Sequence, residues 1–369
     1  MTINEILNDI IKYIIIFVLI VLAISVVITI LLLVFKNSIY LIVAIITRKK
    51  IFNIRMDDNK TLHYFNVKDY DNLEVRSIDF LSDKNKLKGY FYQSNNTSKN
   101  ALIILSHGLG AGHIQYMEEI NFLTKNGYIV FTYDMRGCLN SSGKGIGSFI
   151  NGVRDLNSAI EYVKNDPDFK DFPILLYGHS LGGFSVNNVL RYQDVKGVVS
   201  LSSFNNSQSL FEVVFSGVNG ISEKERKRYL NAILFIEKLK FRKMYNISSL
   251  DALKNTEVPV LLISGTKDNI VPHKDNFLLY KKELSQKNNI EFLEVENRYH
   301  RPNISLSASE YDQEVNKKIN EYNLKYKKEK APEEETRNLF DSFDYKKMVE
   351  FDESVNEVIL DFYQRCLDK

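Results

Sequence analysis

The stretch PILLYGHSLGGFSVNNVLRY, residues 173–192, decides the fold. An apolar run, Pro173 to Tyr177, enters Gly178-His179-Ser180-Leu181-Gly182 and leaves through an amphipathic segment. A strand, a glycine-flanked serine and a helix in immediate succession form a nucleophile elbow, in which a sharp turn lifts the serine hydroxyl to the edge of a sheet. The flanking glycines allow the close backbone approach that the turn demands, and the helix amino terminus favours developing negative charge. G-x-S-x-G alone is a common pattern; the strand before it, the helix after it and the extra Gly183 give it weight.

Working outward, short β-rich runs alternate with longer amphipathic segments, the signature of a parallel sheet with crossover helices. Strands are expected at 74–81, 87–92, 101–106, 128–133, 173–177, 197–201, 259–264 and 290–295. The first two, separated by SDKNK, alternate in character and suit an edge hairpin; ALIILS, PILLY and PVLLIS suit strands buried on both faces. Helices are expected at 116–126, 152–164, 181–192 and 275–285. The pattern is broken at about 204–250, a long mixed insert that suits a cap and whose FEVVF and AILFIEKLKF segments offer apolar lining or equally core, and at about 303–345, a charged insert. In the latter Tyr311, Val315, Ile319, Tyr322 and Tyr326 share a helical face with the KYKKEK cations at its end, and APEEE (331–335) begins a further helix.

A serine hydroxyl needs a base to take its proton and a carboxylate to orient that base. After PVLLIS, Gly265-Thr266-Lys267-Asp268 places Asp268 in a strand-end loop; after IEFLEV, Glu296-Asn297-Arg298-Tyr299-His300 places His300 in the next. The order Ser180, Asp268, His300 is that of elbow-type hydrolases. His273, in the Asp268 loop, is the rival base, and Asp275 and Glu296 are lesser acid candidates. An oxyanion would be met by the N–H of Leu181 and by a second donor in Ser106-His107-Gly108-Leu109-Gly110, for which Leu109 is the candidate and His107 a structural tie.

SHGLGAG, YDMRGCLNSSG, YGHSLGG, VPVLLISGTKDNIVP and YHRPN together resemble the α/β-hydrolase superfamily over roughly residues 74–302 plus the terminal helix. NISSLDALKN through GTKDNIVP is similar to esterases and serine peptidases of the prolyl-oligopeptidase and serine-aminopeptidase-like groups. The resemblance implies an α/β-hydrolase fold, a mostly parallel eight-stranded sheet flanked by helices, with a Ser180, Asp268, His300 triad and an oxyanion hole at Leu109 and Leu181. Leu139 stands where the family usually has a glycine, and the insert after His300 could cover or displace the base.

From Tyr13 to Phe35 the sequence carries no charge and is long enough to cross a hydrocarbon layer of roughly 30 Å. It is longer than the apolar core of a signal peptide and lacks a cleavage pattern. Ile39 to Thr47 either continues the helix or lies in the interface. Residues 1–55 are thus expected to form a transmembrane anchor and juxtamembrane segment, and residues 56–369 the α/β-hydrolase domain. Lys36, Arg48, Lys49, Lys50 and Arg55 outnumber Lys12 and favour a cytoplasmic carboxyl side for a single-pass protein of the cell membrane.

The 369 residues are 44% hydrophobic and 25% charged, which excludes wholesale disorder and a polytopic membrane protein. Forty-eight Lys and Arg against 46 Asp and Glu leave +2, no global attraction for nucleic acid. Cys138 and Cys366 signal neither a disulfide framework nor a zinc site. No G-x-G-x-x-G follows the first strand, and two-step acyl transfer calls for no metal or organic cofactor. The expected activity is cleavage of a small or lipid-like carboxylic ester; the alternatives are a peptidase of the same fold or a non-catalytic module tethered to a membrane.

Overall fold

The computed structural model describes residues 3–57, 63–95, 97–98, 101–216, 220–327 and 331–369. Eight strands form one sheet: β1 (Leu73–Ser82), β2 (Asn85–Ser94), β3 (Leu102–Ser106), β4 (Ile129–Tyr133), β5 (Ile174–His179), β6 (Gly197–Leu201), β7 (Val260–Gly265) and β8 (Ile290–Val295). Their spatial order is β1-β2-β4-β3-β5-β6-β7-β8. The β1–β2 and β2–β4 pairs are antiparallel, and every pairing from β4 to β8 is parallel. Every residue of β3 to β7 is buried, as continuous apolar runs require when helices cover both faces. The β1–β2 turn is tighter than SDKNK suggested: Ser82 pairs directly with Asn85, and Asp83 takes the left-handed conformation at φ 50°.

The helices are α1 (Ile3–Phe52), α2 (Met117–Lys125), α3 (Phe149–Asn165), α4 (Leu181–Val189), α5 (Ser207–Ser216), α6 (Glu223–Phe241), α7 (Ser249–Lys254), α8 (Phe277–Leu284), α9 (Leu306–Lys325), α10 (Glu333–Asp341), α11 (Tyr345–Met348) and α12 (Glu353–Leu367). α3 starts ahead of the expected Gly152 because the Ser148 side chain caps it by accepting the Ile150 N–H. α4 stops short of Tyr192, and α8 begins after Asn276. Val315 of α9 packs with Phe340 and Phe343, so the expected apolar face is satisfied locally by α10 and α11. Of the cations expected at the end of α9, Lys328 and Lys330 lie outside the described residues.

α1 continues through Ile39–Thr47 without a break and is long and apolar enough to cross a membrane. Its first three-quarters expose apolar side chains. In the last quarter Tyr40, Ala44, Arg48 and Phe52 are buried, an i, i+4 row that lies against α6. Tyr40 meets Tyr229 edge to face with ring centroids 4.9 Å apart. The Arg48 Nε–H donates to Glu237 Oε1 at 2.6 Å, and the Ser148 hydroxyl donates to Glu237 Oε2 at 2.6 Å. Phe52 packs edge-on against Phe149 and Phe211.

The chain leaving α1 is stitched to the loop after β4. The Phe52 carbonyl accepts the Gly147 N–H at 2.9 Å, Met56 N–H donates to Gly137 O at 2.8 Å, and the Arg55 guanidinium donates to the carbonyls of Leu139, Ser141 and Gly143. Gly145 must be glycine: it sits at φ 150°, and a Cβ there would lie 2.3 Å from the Phe52 oxygen. Leu139, at the position where a glycine was expected, holds φ 39° and donates its N–H to Met56 O at 2.6 Å.

Glu237→Ala leaves the Arg48 cation buried without its counter-charge, and should cost about 3–5 kcal/mol. Arg48→Met with Glu237→Leu should recover most of it, read as unfolding temperatures of the detergent-solubilised chain.

Candidate active site

β5 hands over to α4 at Ser180, whose backbone is held at φ 57° and ψ −113°. A non-glycine residue pays about 1–3 kcal/mol for such a conformation, which the surroundings must over-determine. They do so through the Ser180 N–H, which donates to Leu201 O at 2.9 Å, and the Ser180 carbonyl, which accepts the Phe184 N–H at 2.9 Å. Two residues on, a Cβ on Gly182 would fall 1.8 Å from the Ser106 oxygen. Only glycine lets the loop after β3 press against the start of α4.

That contact brings the loop of one expected donor against the start of α4, which carries the other. Among the described residues the Leu109 and Leu181 N–H groups take no protein acceptor, and Gly108 lies beside Ser180, a Cβ on it falling 3.5 Å from the Ser180 Cβ. His107 is buried and ties the loop as expected: its Nδ1–H donates to Gly108 O at 2.8 Å, and its Nε2 accepts the Met135 N–H at 2.9 Å. Burial pushes its pKa down, keeping it neutral.

Asp268 and His300 come together from the loops after β7 and β8. The His300 Nδ1 lies 2.9 Å from Asp268 Oδ2, and Asp268 Oδ1 accepts the N–H groups of Ile270 at 3.0 Å and Val271 at 2.9 Å. The carboxylate is fully buried; the imidazole keeps a small exposure. The insert after His300 therefore leaves it paired with its acid. The rival His273 is stacked on Phe277 and faces Glu294 at 3.3 Å. Asp275 and Glu296 are exposed, and Glu296 accepts from the Thr266 hydroxyl instead. Ser180 and His300 share no hydrogen bond; such a bond commonly tightens only with substrate.

The residue that sequence reasoning passed over is His179. Gly108 N–H donates to the Tyr116 hydroxyl at 2.9 Å, that hydroxyl donates to His179 Nδ1 at 2.8 Å, and His179 Nε2–H donates to the His300 carbonyl at 2.8 Å. One neutral side chain thus links the donor loop, the elbow and the backbone of the candidate base. Its tautomer follows from the His300 carbonyl, which can only accept: Nε2 of the neutral ring carries the hydrogen, so Nδ1 accepts from the Tyr116 hydroxyl. Burial, reinforced by His300 and Arg301, pushes the His179 pKa well below the usual value. Arg301 is itself held by Glu119 at 2.9 Å. The apolar cap segments behave differently from a substrate lining: Phe211, Phe215, Leu230 and Ile233 pack into the main core.

An eight-stranded sheet of this order, with a strained serine between β5 and α4 and an Asp–His pair after β7 and β8, is the α/β-hydrolase fold. The family model described as serine aminopeptidase, S33, matches residues 97–248, a span that includes Ser180 and ends before Asp268. The chain is 26% identical over 226 residues to the uncharacterized protein YfhR of Salmonella typhi, covering 56% of this chain and 69% of that one. It is 34% identical over 95 residues to the monoglyceride lipase of Mus musculus, covering 25% and 30%. An esterase of Pyrococcus furiosus superposes with a TM-score of 0.53 at 18% identity, covering 73% of this chain and 98% of its own.

Because the folded pKa of His179 lies below its unfolded value, the unfolded chain binds the extra proton first as pH falls. Stability from this group is complete above about pH 6.5 and is lost below it. The unfolding temperature should fall between about pH 6.5 and 5, less steeply in His179→Gln, whose amide can still donate and accept.

Proposed function

We propose that this hydrolase is a membrane-anchored serine esterase that cleaves carboxylic esters through an acyl-enzyme on Ser180. The observation that carries the proposal is the buried Asp268 carboxylate, fixed by two backbone N–H groups and paired at 2.9 Å with His300, beside the strained elbow. In the forward step Ser180 Oγ attacks the ester carbonyl while His300 Nε2 takes the hydroxyl proton. The Asp268 carboxylate holds the proton on Nδ1 and stabilises the imidazolium. The oxyanion is met by the N–H groups of Leu181 and Leu109, aimed at charge that exists only in the transition state. The imidazolium protonates the departing alkoxide, and a water activated by the same imidazole then resolves the acyl-enzyme.

An ester rather than a peptide is supported by the relatives named monoglyceride lipase and by the apolar walls beside the donor loop. Peptide hydrolysis is the second reading, favoured by the description of the matched family. Membrane anchoring is supported by the exposed apolar surface of α1, and the excess of Lys and Arg after that span favours a cytoplasmic catalytic domain. The division into an anchor over 1–55 and a hydrolase domain over 56–369, with a cap at 204–250, is part of the same proposal.

The test is turnover of p-nitrophenyl butyrate, beside an aminoacyl arylamide, by the full chain in detergent. Ser180→Ala and His300→Ala should each lower ester kcat/KM by about 10³-fold or more, and Asp268→Asn by a comparable factor, without loss of the folded state. Ester turnover that survives Ser180→Ala would contradict the proposal, and faster arylamide than ester turnover would favour the peptidase.

A further inference from the structure

Leu109 and Leu181, the candidate oxyanion donors, both line an apolar cavity of about 250 Å³. One wall is the donor loop, Leu109 and Gly110, with Leu181. Ile51, Ile54 and Met56, from the last turn of α1 and the segment that leaves it, add to the apolar lining. Ile54 and Leu109 are both exposed, and stand at the mouth. Met56 lies along Gly110, where an added Cβ would sit 3.7 Å from its Cε.

We propose that this cavity takes the acyl chain of the ester, so that the segment leaving the N-terminal helix sets the chain length the enzyme accepts. The inference rests on the ester reading above and names its substrate more closely. The chemistry of the lining decides the class of ligand. The titratable groups it contains are His107, kept neutral by burial with both ring nitrogens engaged, and Cys138, whose thiol burial pushes up to about 12. A charged peptide terminus or a phosphate would find no counter-charge there, and desolvating one without a partner is prohibitively costly. A hydrocarbon chain needs none.

Size sets the length. An apolar cavity of roughly 150 Å³ accommodates benzene, with six carbons, so by the same ratio this one accommodates about ten. Its wall is also rigid, because Phe52, Arg55 and Met56 are bonded to the loop of residues 137–147. Each additional methylene buried should therefore raise kcat/KM about fourfold until the cavity is full.

The experiment is an acyl-length series of p-nitrophenyl esters, acetyl to hexadecanoyl, hydrolysed by the full chain in detergent micelles. Wild type should rise to an optimum near the decanoyl ester and fall beyond it. Ile54→Trp, a change at an exposed position that folding should tolerate, narrows the mouth and should lower the decanoyl-to-acetyl ratio of kcat/KM by about tenfold or more. Ile54→Ala should move the optimum to longer chains. Variants that turn over esters with an unaltered length profile would overturn the acyl-chain assignment while leaving the esterase standing. A folded wild type that hydrolyses no ester, the acetyl one included, would overturn both.

Discussion

The contact on which the site depends is the one between Gly182 and the Ser106 carbonyl. No side chain larger than hydrogen fits there, since a Cβ would fall 1.8 Å from that oxygen. Because β3 and β5 are neighbours, with Ser106 paired to Gly178, the loop after β3 and the elbow after β5 emerge side by side. Pressing them together brings Gly108 beside Ser180, where the elbow holds its strained conformation. β6, β7 and β8 then follow in order, so the loops carrying Asp268 and His300 arrive on the same carboxyl edge of the sheet.

The second constraint is the union of α1 with the catalytic unit. A tether would leave the site free to face any direction. Here the helix keeps its register past the apolar span and buries Tyr40, Ala44, Arg48 and Phe52 against α6 and the core, and the chain beyond it is bonded to the loop after β4. An ion pair buried this deeply contributes little net stability against an apolar replacement, yet it is intolerant of losing one member. It therefore fixes how α1 meets α6 more than how tightly. Ile51, Ile54 and Met56 belong at once to the end of the helix and to the surroundings of the donor loop.

Much of this was legible in the chain, and the reasons are physical. Strands buried on both faces must be apolar throughout, so ALIILS, PILLY and PVLLIS were unmistakable; an elbow must have small residues around its serine; a base and its acid must sit in strand-end loops. What escaped was long-range. Arg48 is 189 residues from Glu237, and nothing local to either shows the pair. The i, i+4 row Tyr40, Ala44, Arg48, Phe52 was the available signal, obscured by the uniform hydrophobicity around it. The apolar runs of the cap read equally as lining or as core, and the choice needed the packing against Phe52 and Phe149, which depends on where α1 lies. His179 was visible only as a neighbour of the serine, because its role needs Tyr116 and the His300 carbonyl brought to it. Leu139 in place of a glycine did not disturb the loop: it accepts a left-handed backbone and bonds to Met56.

The central claim is that Ser180 is the atom that attacks. It is tested most directly by treating the full chain with an alkyl fluorophosphonate and locating the adduct by peptide mass spectrometry. The account predicts one phosphonylated residue, Ser180, formed in the folded protein and lost when the chain is denatured beforehand. An adduct on a different serine, or none in the folded protein, would contradict it.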